Sequence, residues 1–324
     1  MPHRGLSIEG FASLPHGEVP LLPRDTRDEL EHILHTDNLE DVHTTLSSAE
    51  MSSKLHEGLD KLLASSWREG KTKFQGNAFT EYMGILYLLT IHNKDCSPVK
   101  SDMMVASHVS GVTFSDYEVV YENPDKILLP PGFSDSFSAC VAGGARYVFM
   151  MLDVPGHSNC LIFDTSRSSL ERFDSYGSDG PPVCDDNIWA VLAGAGVRAK
   201  TYLKPRDYMP HAALQMREEL GVEADPTQRL QGDPRGFCAA WSLWYLHMLL
   251  STAHIFPPSM SAKRARSLLL KEAHKHIDKS PHTYRKFIRG FSVFLTDAVK
   301  KLRDAKSGPQ RANRLQKMRK EANR

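Results

Sequence analysis

The chain has 324 residues, of which 41% are hydrophobic and 24% are charged, and its formal net charge at pH 7 is +1. These values are ordinary for a globular protein of one large or two modest domains. They exclude an overall electrostatic preference for nucleic acid or membranes, and the longest apolar runs are too short to span a bilayer.

Five cysteines, at positions 96, 140, 160, 184 and 238, occur without a CxxC pair or a His/Cys cluster. Their number and spacing indicate no zinc site, and we expect neither a metal nor a cofactor. The N-terminus lacks the apolar core of a signal peptide, so we expect a cytoplasmic or nuclear protein that is not secreted. In that reducing environment a cysteine is more often catalytic or buried than disulfide-bonded.

Composition predicts four regions along the chain. Residues 1–25 are rich in Pro, Gly and His and read as an irregular arm, and residues 26–110 form a helical region for recognition of substrates or partners. Within that region the apolar stretch 77–92 predicts a buried helix. Residues 111–299 form the main domain, and residues 300–324 are a basic tail with ten Lys or Arg and two acidic residues, a net charge of +8.

Three β-rich segments in the main domain, 146–154, 158–164 and 170–174, predict an antiparallel meander. The links between them, 155–156 and 165–169, are of hairpin size. Helices are predicted at 187–194, 209–220, 261–277 and 284–302, with a short strand at 198–203 and an apolar helix that begins at Cys238. The order of helices, sheet and helices favours an α+β fold with an antiparallel or mixed sheet.

Cys238 is a candidate nucleophile because of its position. A turn-rich segment containing Gly236 delivers it to the first turn of the apolar helix. The partial positive charge and unpaired N–H groups of a helix N-terminus favour the thiolate, which is the nucleophilic form. A lone cysteine that opens an apolar helix is more often a small core residue, so the interpretation depends on its partners.

His157 and Asp174 are the predicted partners. His157 stands at the start of the second predicted strand and Asp174 at the end of the third, and an antiparallel pair with a short link places these two ends side by side. His157 would accept the thiol proton and Asp174 would orient the imidazole. Strand alternation puts Glu171 on the other face, which favours Asp174 as the orienting group. Taken alone, each is more simply a turn residue.

Gln231 lies seven residues before Cys238 and is a candidate oxyanion donor together with the backbone N–H of Cys238. Gln215 is the alternative donor, and the spacing favours Gln231.

The order His157, Asp174, Gln231, Cys238 resembles that of the cysteine peptidases of the adenovirus-protease and Ulp1/SUMO-protease superfamily. In that superfamily the acidic residue ends the strand after the histidine strand, the glutamine lies six or seven residues before the cysteine, and the cysteine opens a buried helix. The segments Gly156-His-Ser-Asn-Cys-Leu-Ile-Phe-Asp and Gly236-Phe-Cys-Ala-Ala-Trp are also similar to uncharacterised relatives in large DNA viruses. The resemblance covers about residues 140–300.

The resemblance implies a papain-like or Ulp1-like core with a central mixed or antiparallel sheet flanked by helices, plus a helical N-terminal extension. Two positions depart from the family pattern. Ser158 replaces a tryptophan that often follows the histidine, which alters the floor of the site. Ala239 replaces a glycine that usually follows the cysteine, which alters the approach to the oxyanion hole.

The function implied by the resemblance is that of a cysteine peptidase, a hydrolase that cleaves peptide or isopeptide bonds. Its substrates would be ubiquitin-like conjugates or, in a virus, polyproteins, and no cofactor is required. Two alternatives stay open: an acyltransferase that uses the same triad with an acyl-CoA donor, and an inactive relative that serves as a scaffold. The tail 300–324 is a candidate nucleic-acid contact, no membrane contact is expected, and the virion is a further location for a viral protein.

Overall fold

The computed structural model describes residues 78–92, 95, 97, 119–180, 182–209, 213–215, 217, 237–279 and 284–303. The predicted arm, the helices predicted before residue 77, Gln231 and the tail beyond residue 303 lie outside the described residues. The predictions made for them stay predictions.

The described chain is a mixed α/β structure. Its strands are β1 Val119–Asn123, β2 Lys126–Leu128, β3 Tyr147–Val154, β4 His157–Asp164, β5 Ser169–Phe173 and β6 Thr201–Leu203. Its helices are α1 Ala78–Ile91, α2 Phe133–Ala142, α3 Asp185–Gly194, α4 Pro205–Tyr208, α5 Cys238–Thr252, α6 Ala262–Lys279 and α7 Tyr284–Arg303.

The six strands form one mixed sheet in the order β2-β1-β3-β4-β5-β6. The predicted meander is confirmed, because β3 pairs antiparallel with β4 and β4 pairs antiparallel with β5. A two-residue turn joins β3 to β4, and its Gly156 has a φ of 75°, a left-handed conformation that glycine adopts without steric cost. Parallel pairs, β1 with β3 and β5 with β6, extend the meander on both sides and make the sheet mixed.

The sheet separates two hydrophobic cores, because successive residues of a strand point to opposite faces. Phe149 and Met151 of β3 pack in the core that contains α1, α5, α6 and α7. Val148 and Met150 pack in the core that contains α2 and α3. The sequence pattern predicts no element at 133–142, yet α2 forms there and covers this second face.

Helix α5 is the centre of the first core. It is apolar on every side, and 14 of its 15 residues are buried, as expected for a helix without a solvent face. Helix α1 approaches it closely, since a Cβ added at Gly84 would lie 2.5 Å from Leu243 Cδ1. The helix predicted at 77–92 is therefore confirmed. Although α1 belongs to the predicted N-terminal region 26–110, it packs in the same core as the helices of the main domain.

Two expectations require correction. The helix predicted from residue 209 does not begin there: α4 ends at Tyr208, Met209 follows it in a bend, and helical conformation resumes at residue 214. Pro205, at the start of α4, favours a helix beginning at that position. The expectation of unbonded cysteines holds for Cys160, Cys184 and Cys238, whereas Cys140 is disulfide-bonded.

Among the described helices, none is both long and apolar enough to cross a bilayer.

Candidate active site

His157 and Asp174 lie side by side at one end of the meander. His157 is the first residue of β4 and Asp174 directly follows β5, and the pairing of Cys160 with Phe173 brings the two ends together. The imidazole Nε2 of His157 donates to Asp174 Oδ1 over 2.8 Å. Their side chains are only 4% and 1% exposed, so water does not compete for this hydrogen bond.

Asp174 is held at both carboxylate oxygens. The backbone N–H of Tyr176 donates to Oδ1 over 2.9 Å, and Arg172 Nη1 donates to Oδ2 over 3.2 Å. The turn that follows closes over the carboxylate, because a Cβ added at Gly180 would overlap Oδ2 and lie 2.8 Å from Cγ. The position therefore requires a residue without a side chain.

Cys238 reaches His157 from the other side. It is the first residue of α5 and is buried, and it lies close enough to His157 to raise the pKa of the imidazole. Since Nε2 of His157 is committed to Asp174, Nδ1 is the ring nitrogen left for the sulfur. The helix N-terminus adds its partial positive charge at this point.

Polar contacts attach α5 to the strand that carries His157. The hydroxyl of Ser242 donates to the carbonyl oxygen of Ser158 over 3.3 Å. The thiol of Cys160 donates to the carbonyl oxygen of Ser242 over 3.9 Å. Because Ser242 lies one turn beyond Cys238, these contacts fix the position of the N-terminus of α5 relative to the start of β4.

The charge on His157 reflects its two partners. Burial acts to lower the pKa of His157, but hydrogen bonds to Asp174 and Cys238 and the negative charges of both groups outweigh burial and raise that pKa to about 9. The imidazole is therefore protonated at neutral pH when both partners are in place. Such an imidazolium neutralises an adjacent thiolate and holds the proton that a leaving group needs.

Ser158, the residue after His157, has a polar partner. Its hydroxyl donates to Glu81 Oε1 over 3.0 Å, and Glu81 is a fully buried residue of α1. Helix α1 thus contacts β4 at the residue that follows His157. Sequence reasoning missed Glu81, since nothing in an apolar stretch 77 residues away signals that its one carboxylate accepts a hydrogen bond from Ser158.

Gln215, the alternative oxyanion donor, is engaged on the Asp174 side of His157. Its Oε1 accepts from Ser175 Oγ over 2.6 Å, and its Nε2 donates to the Tyr176 hydroxyl over 3.3 Å. The Tyr176 ring lies 5.0 Å from the His157 ring, centroid to centroid. Gln215 therefore supports the aromatic ring beside the imidazole. Gln231 lies outside the described residues, and its role as oxyanion donor stays a prediction.

A cleft of about 720 Å³ lies elsewhere, between α4 and α6. Its described lining includes Tyr208, Lys271 and His274 but not Cys238 or His157. The cleft and the cluster of Cys238, His157 and Asp174 therefore lie in different parts of the structure. We assign the candidate site on chemistry, since a thiol that can carry an acyl group, an imidazole and a carboxylate converge at the start of α5.

In the part of the chain that the structure describes, no group of three or more His, Cys, Asp or Glu side chains is arranged to hold a metal ion. The neighbouring carboxylate, imidazole and thiol of Asp174, His157 and Cys238 need no metal for their chemistry. They can form a thioester with an activated carbonyl and pass a proton to the departing group.

Comparison with known proteins gives one distant match. Over 254 aligned residues the chain is 26% identical to a putative ankyrin repeat protein, L371, of Acanthamoeba polyphaga mimivirus. The match covers 69% of this chain and 32% of that protein, so the chain spans about a third of the length of the curated relative. No family model and no solved structure matches the chain.

The name of that viral protein does not describe the fold seen here. Ankyrin repeats are units of about 33 residues, each built from a turn and two helices. The described residues of this chain instead surround a six-stranded sheet.

Proposed function

We propose that the chain is a cysteine peptidase in which Cys238 is the nucleophile, His157 the general acid and base, and Asp174 the group that orients His157. The observation that carries the proposal is the buried hydrogen bond between Asp174 and His157, with Cys238 beside the same imidazole. The placement of Cys238 at the start of a buried helix packed on the histidine strand supports the same reading. This layout is the one expected of a papain-like or Ulp1-like core.

The reaction follows from the positions of these groups. The sulfur of Cys238 attacks the carbonyl carbon, and the negative oxygen that forms accepts hydrogen bonds from the backbone N–H of Cys238 and, as predicted, from Gln231. When the C–N bond breaks, His157 transfers its proton to the departing amine and a thioester remains. Water then attacks the thioester while His157 removes its proton, and cleavage of the C–S bond releases the carboxylic acid and leaves His157 protonated beside the sulfur of Cys238.

Asp174 keeps the imidazole in the orientation and tautomer that this sequence of proton transfers needs. Its own two oxygens are held by protein donors, so it does not rotate away between the steps. A triad acid of this kind stabilises the imidazolium without taking the proton itself.

The substrates we propose are proteins: ubiquitin-like conjugates or viral polyproteins, cleaved at a peptide or isopeptide bond. The row of side chains does not select between these two classes. Reaction with a panel of electrophilic probes does, because each probe presents a warhead on a different recognition element.

The test uses ubiquitin, SUMO and short-peptide vinyl-sulfone probes on the full chain and on two variants. We expect at least one probe to form an adduct on Cys238, located by mass spectrometry, and we expect no adduct on Cys238→Ala. The Cys184→Ser variant is the matched control, because Cys184 is a free and partly exposed thiol outside the site.

With the substrate that corresponds to the reactive probe, Cys238→Ala should lose at least about 10³-fold in turnover. Equal turnover by Cys238→Ala, or an adduct found on Cys184 alone, would contradict the proposal. Incubation with labelled acetyl-CoA distinguishes acyl transfer from hydrolysis, since transfer leaves the label on a protein amine.

A further inference from the structure

Outside the row of three side chains, Arg172 links Asp174 to helix α3. Its Nε donates to Asp185 Oδ1 over 2.6 Å and its Nη2 donates to Asp185 Oδ2 over 3.0 Å, so the two side chains form a paired fork. Its remaining nitrogen, Nη1, donates to Asp174 Oδ2 and, over 2.7 Å, to Asn159 Oδ1. One guanidinium therefore holds both carboxylates at fixed positions.

This arrangement is buried and oriented from several elements. The side chains of Arg172, Asp174 and Asp185 are 7%, 1% and 10% exposed. Asp185 is the first residue of α3, where the helix N-terminus favours a carboxylate. Tyr202 of β6 donates its hydroxyl to Asp185 Oδ1 over 2.7 Å. The Asp185 carboxylate is thus held by α3 and β6 in addition to its contact with Arg172.

The charges alternate along this line. The His157 imidazolium, Asp174, Arg172 and Asp185 carry positive, negative, positive and negative charge in that order. Arg172 and His157 are both cations beside the Asp174 carboxylate, so the positive charge of Arg172 disfavours protonation of His157. Asp185 pairs with Arg172 and offsets that positive charge. Without Asp185, a buried guanidinium would have Asp174 as its nearest carboxylate, and the hold of Asp174 on the imidazolium would weaken.

We propose that Arg172 and Asp185 are a positioning pair: Asp185 fixes and neutralises Arg172, and Arg172 holds Oδ2 of Asp174 so that Oδ1 faces His157. The functional meaning of this pair rests on the proposed peptidase activity, but its effect on the imidazole exists without any substrate. The pair gives helix α3, which carries none of the three central side chains, a role in positioning Asp174 at the end of β5.

The test measures the His157 imidazole by NMR titration in the absence of substrate. Asp185→Asn keeps the shape of the side chain and removes its charge, and we expect it to lower the pKa of His157 by about one unit or more. Asp186→Asn is the matched control at the next position of α3. Asp186 is exposed and pairs with Lys204, so this variant should leave the pKa of His157 unchanged.

The double variant Arg172→Gln/Asp185→Asn separates electrostatics from packing. It removes both charges of the pair, so the pKa of His157 should return toward its wild-type value although the Oδ2 contact is lost. If Asp185→Asn is too unstable to titrate because Arg172 is left uncompensated, the double variant should be more stable than the single variant. A purely structural role for Asp185 predicts the gain in stability as well, but it predicts no change in the pKa of His157.

Two outcomes would overturn the proposal. One is an unchanged pKa of His157 in folded Asp185→Asn, even with a lower melting temperature. The other is a double variant that shows neither recovery of the pKa nor a gain in stability over the single variant. Failure of the peptidase proposal would look different: wild-type Cys238 would form no adduct with any probe, while the titration of His157 would still report on the pair.

Discussion

The protonation of His157 leads to a prediction about stability against pH. The pKa of His157 is about 9 in the folded chain, against an ordinary value of 6.5. At about 1.4 kcal/mol per pKa unit, this gap corresponds to about 3 kcal/mol of folding free energy at low pH. The His157→Gln variant removes the titrating group while it keeps a side chain that can hydrogen-bond.

The sign of the effect follows from the direction of the pKa change. Because the pKa is higher in the folded chain, the folded state binds the proton more tightly than the unfolded state. The contribution is fully present below about pH 6.5, declines as the pH rises, and is lost above about pH 9. Alkaline conditions should therefore destabilise the wild type more than His157→Gln.

The measurement is urea-induced unfolding at pH 6 and at pH 10, followed by circular dichroism. The fall in unfolding free energy between the two pH values should be about 3 kcal/mol larger in the wild type than in His157→Gln. The variant His254→Gln is the control, because His254 is an exposed histidine remote in sequence from Asp174 and should leave the difference at its wild-type size.

Equal pH dependence in the wild type and in His157→Gln would refute this reasoning. It would mean that burial, which disfavours the imidazolium, cancels the contributions of Asp174 and Cys238. A direct titration of the His157 ring by NMR would then find a pKa near or below 6.5.

Two close contacts give further predictions. In Gly180→Ala the new Cβ would overlap the Asp174 carboxylate. We expect NMR titration to give a lower pKa for His157 and probe labelling of Cys238 to slow at least about tenfold. The circular dichroism spectrum should stay unchanged. In Gly84→Ala the new Cβ would press on Leu243, and urea unfolding should show a loss of about 1–3 kcal/mol. Gly194→Ala, which would meet no atom within 4 Å, is the control for both; an equal effect there would contradict the steric explanation.

The sequence carried the information for the meander and for the positions of the three central side chains. Alternating apolar residues and hairpin-sized links predicted β3, β4 and β5, and antiparallel geometry then made His157 and Asp174 neighbours. The start of α5 at Cys238 was also predicted, because an entirely apolar segment preceded by a turn has few other structures available. These features are local: each depends on residues close together in the chain.

The surroundings of the site were not predictable in the same way. Glu81 lies in a segment far from Ser158 in sequence, and Asp185 pairs with Arg172 across the end of the sheet. Gln215 was the alternative oxyanion donor, less favoured by its spacing, and its amide contacts Ser175 and the Tyr176 hydroxyl.

By itself, the sequence determined the strand meander, the apolar helix that begins at Cys238, and the adjacency of His157 and Asp174, because hairpin connections and hydrophobic periodicity act over short separations. Only the tertiary structure decided that Glu81 of α1 contacts Ser158, and that Arg172, itself paired with Asp185, donates to the far oxygen of Asp174. Those contacts join segments whose separation in sequence carries no periodic signal. They form only when both faces of the sheet are covered and buried polar groups must find partners within reach.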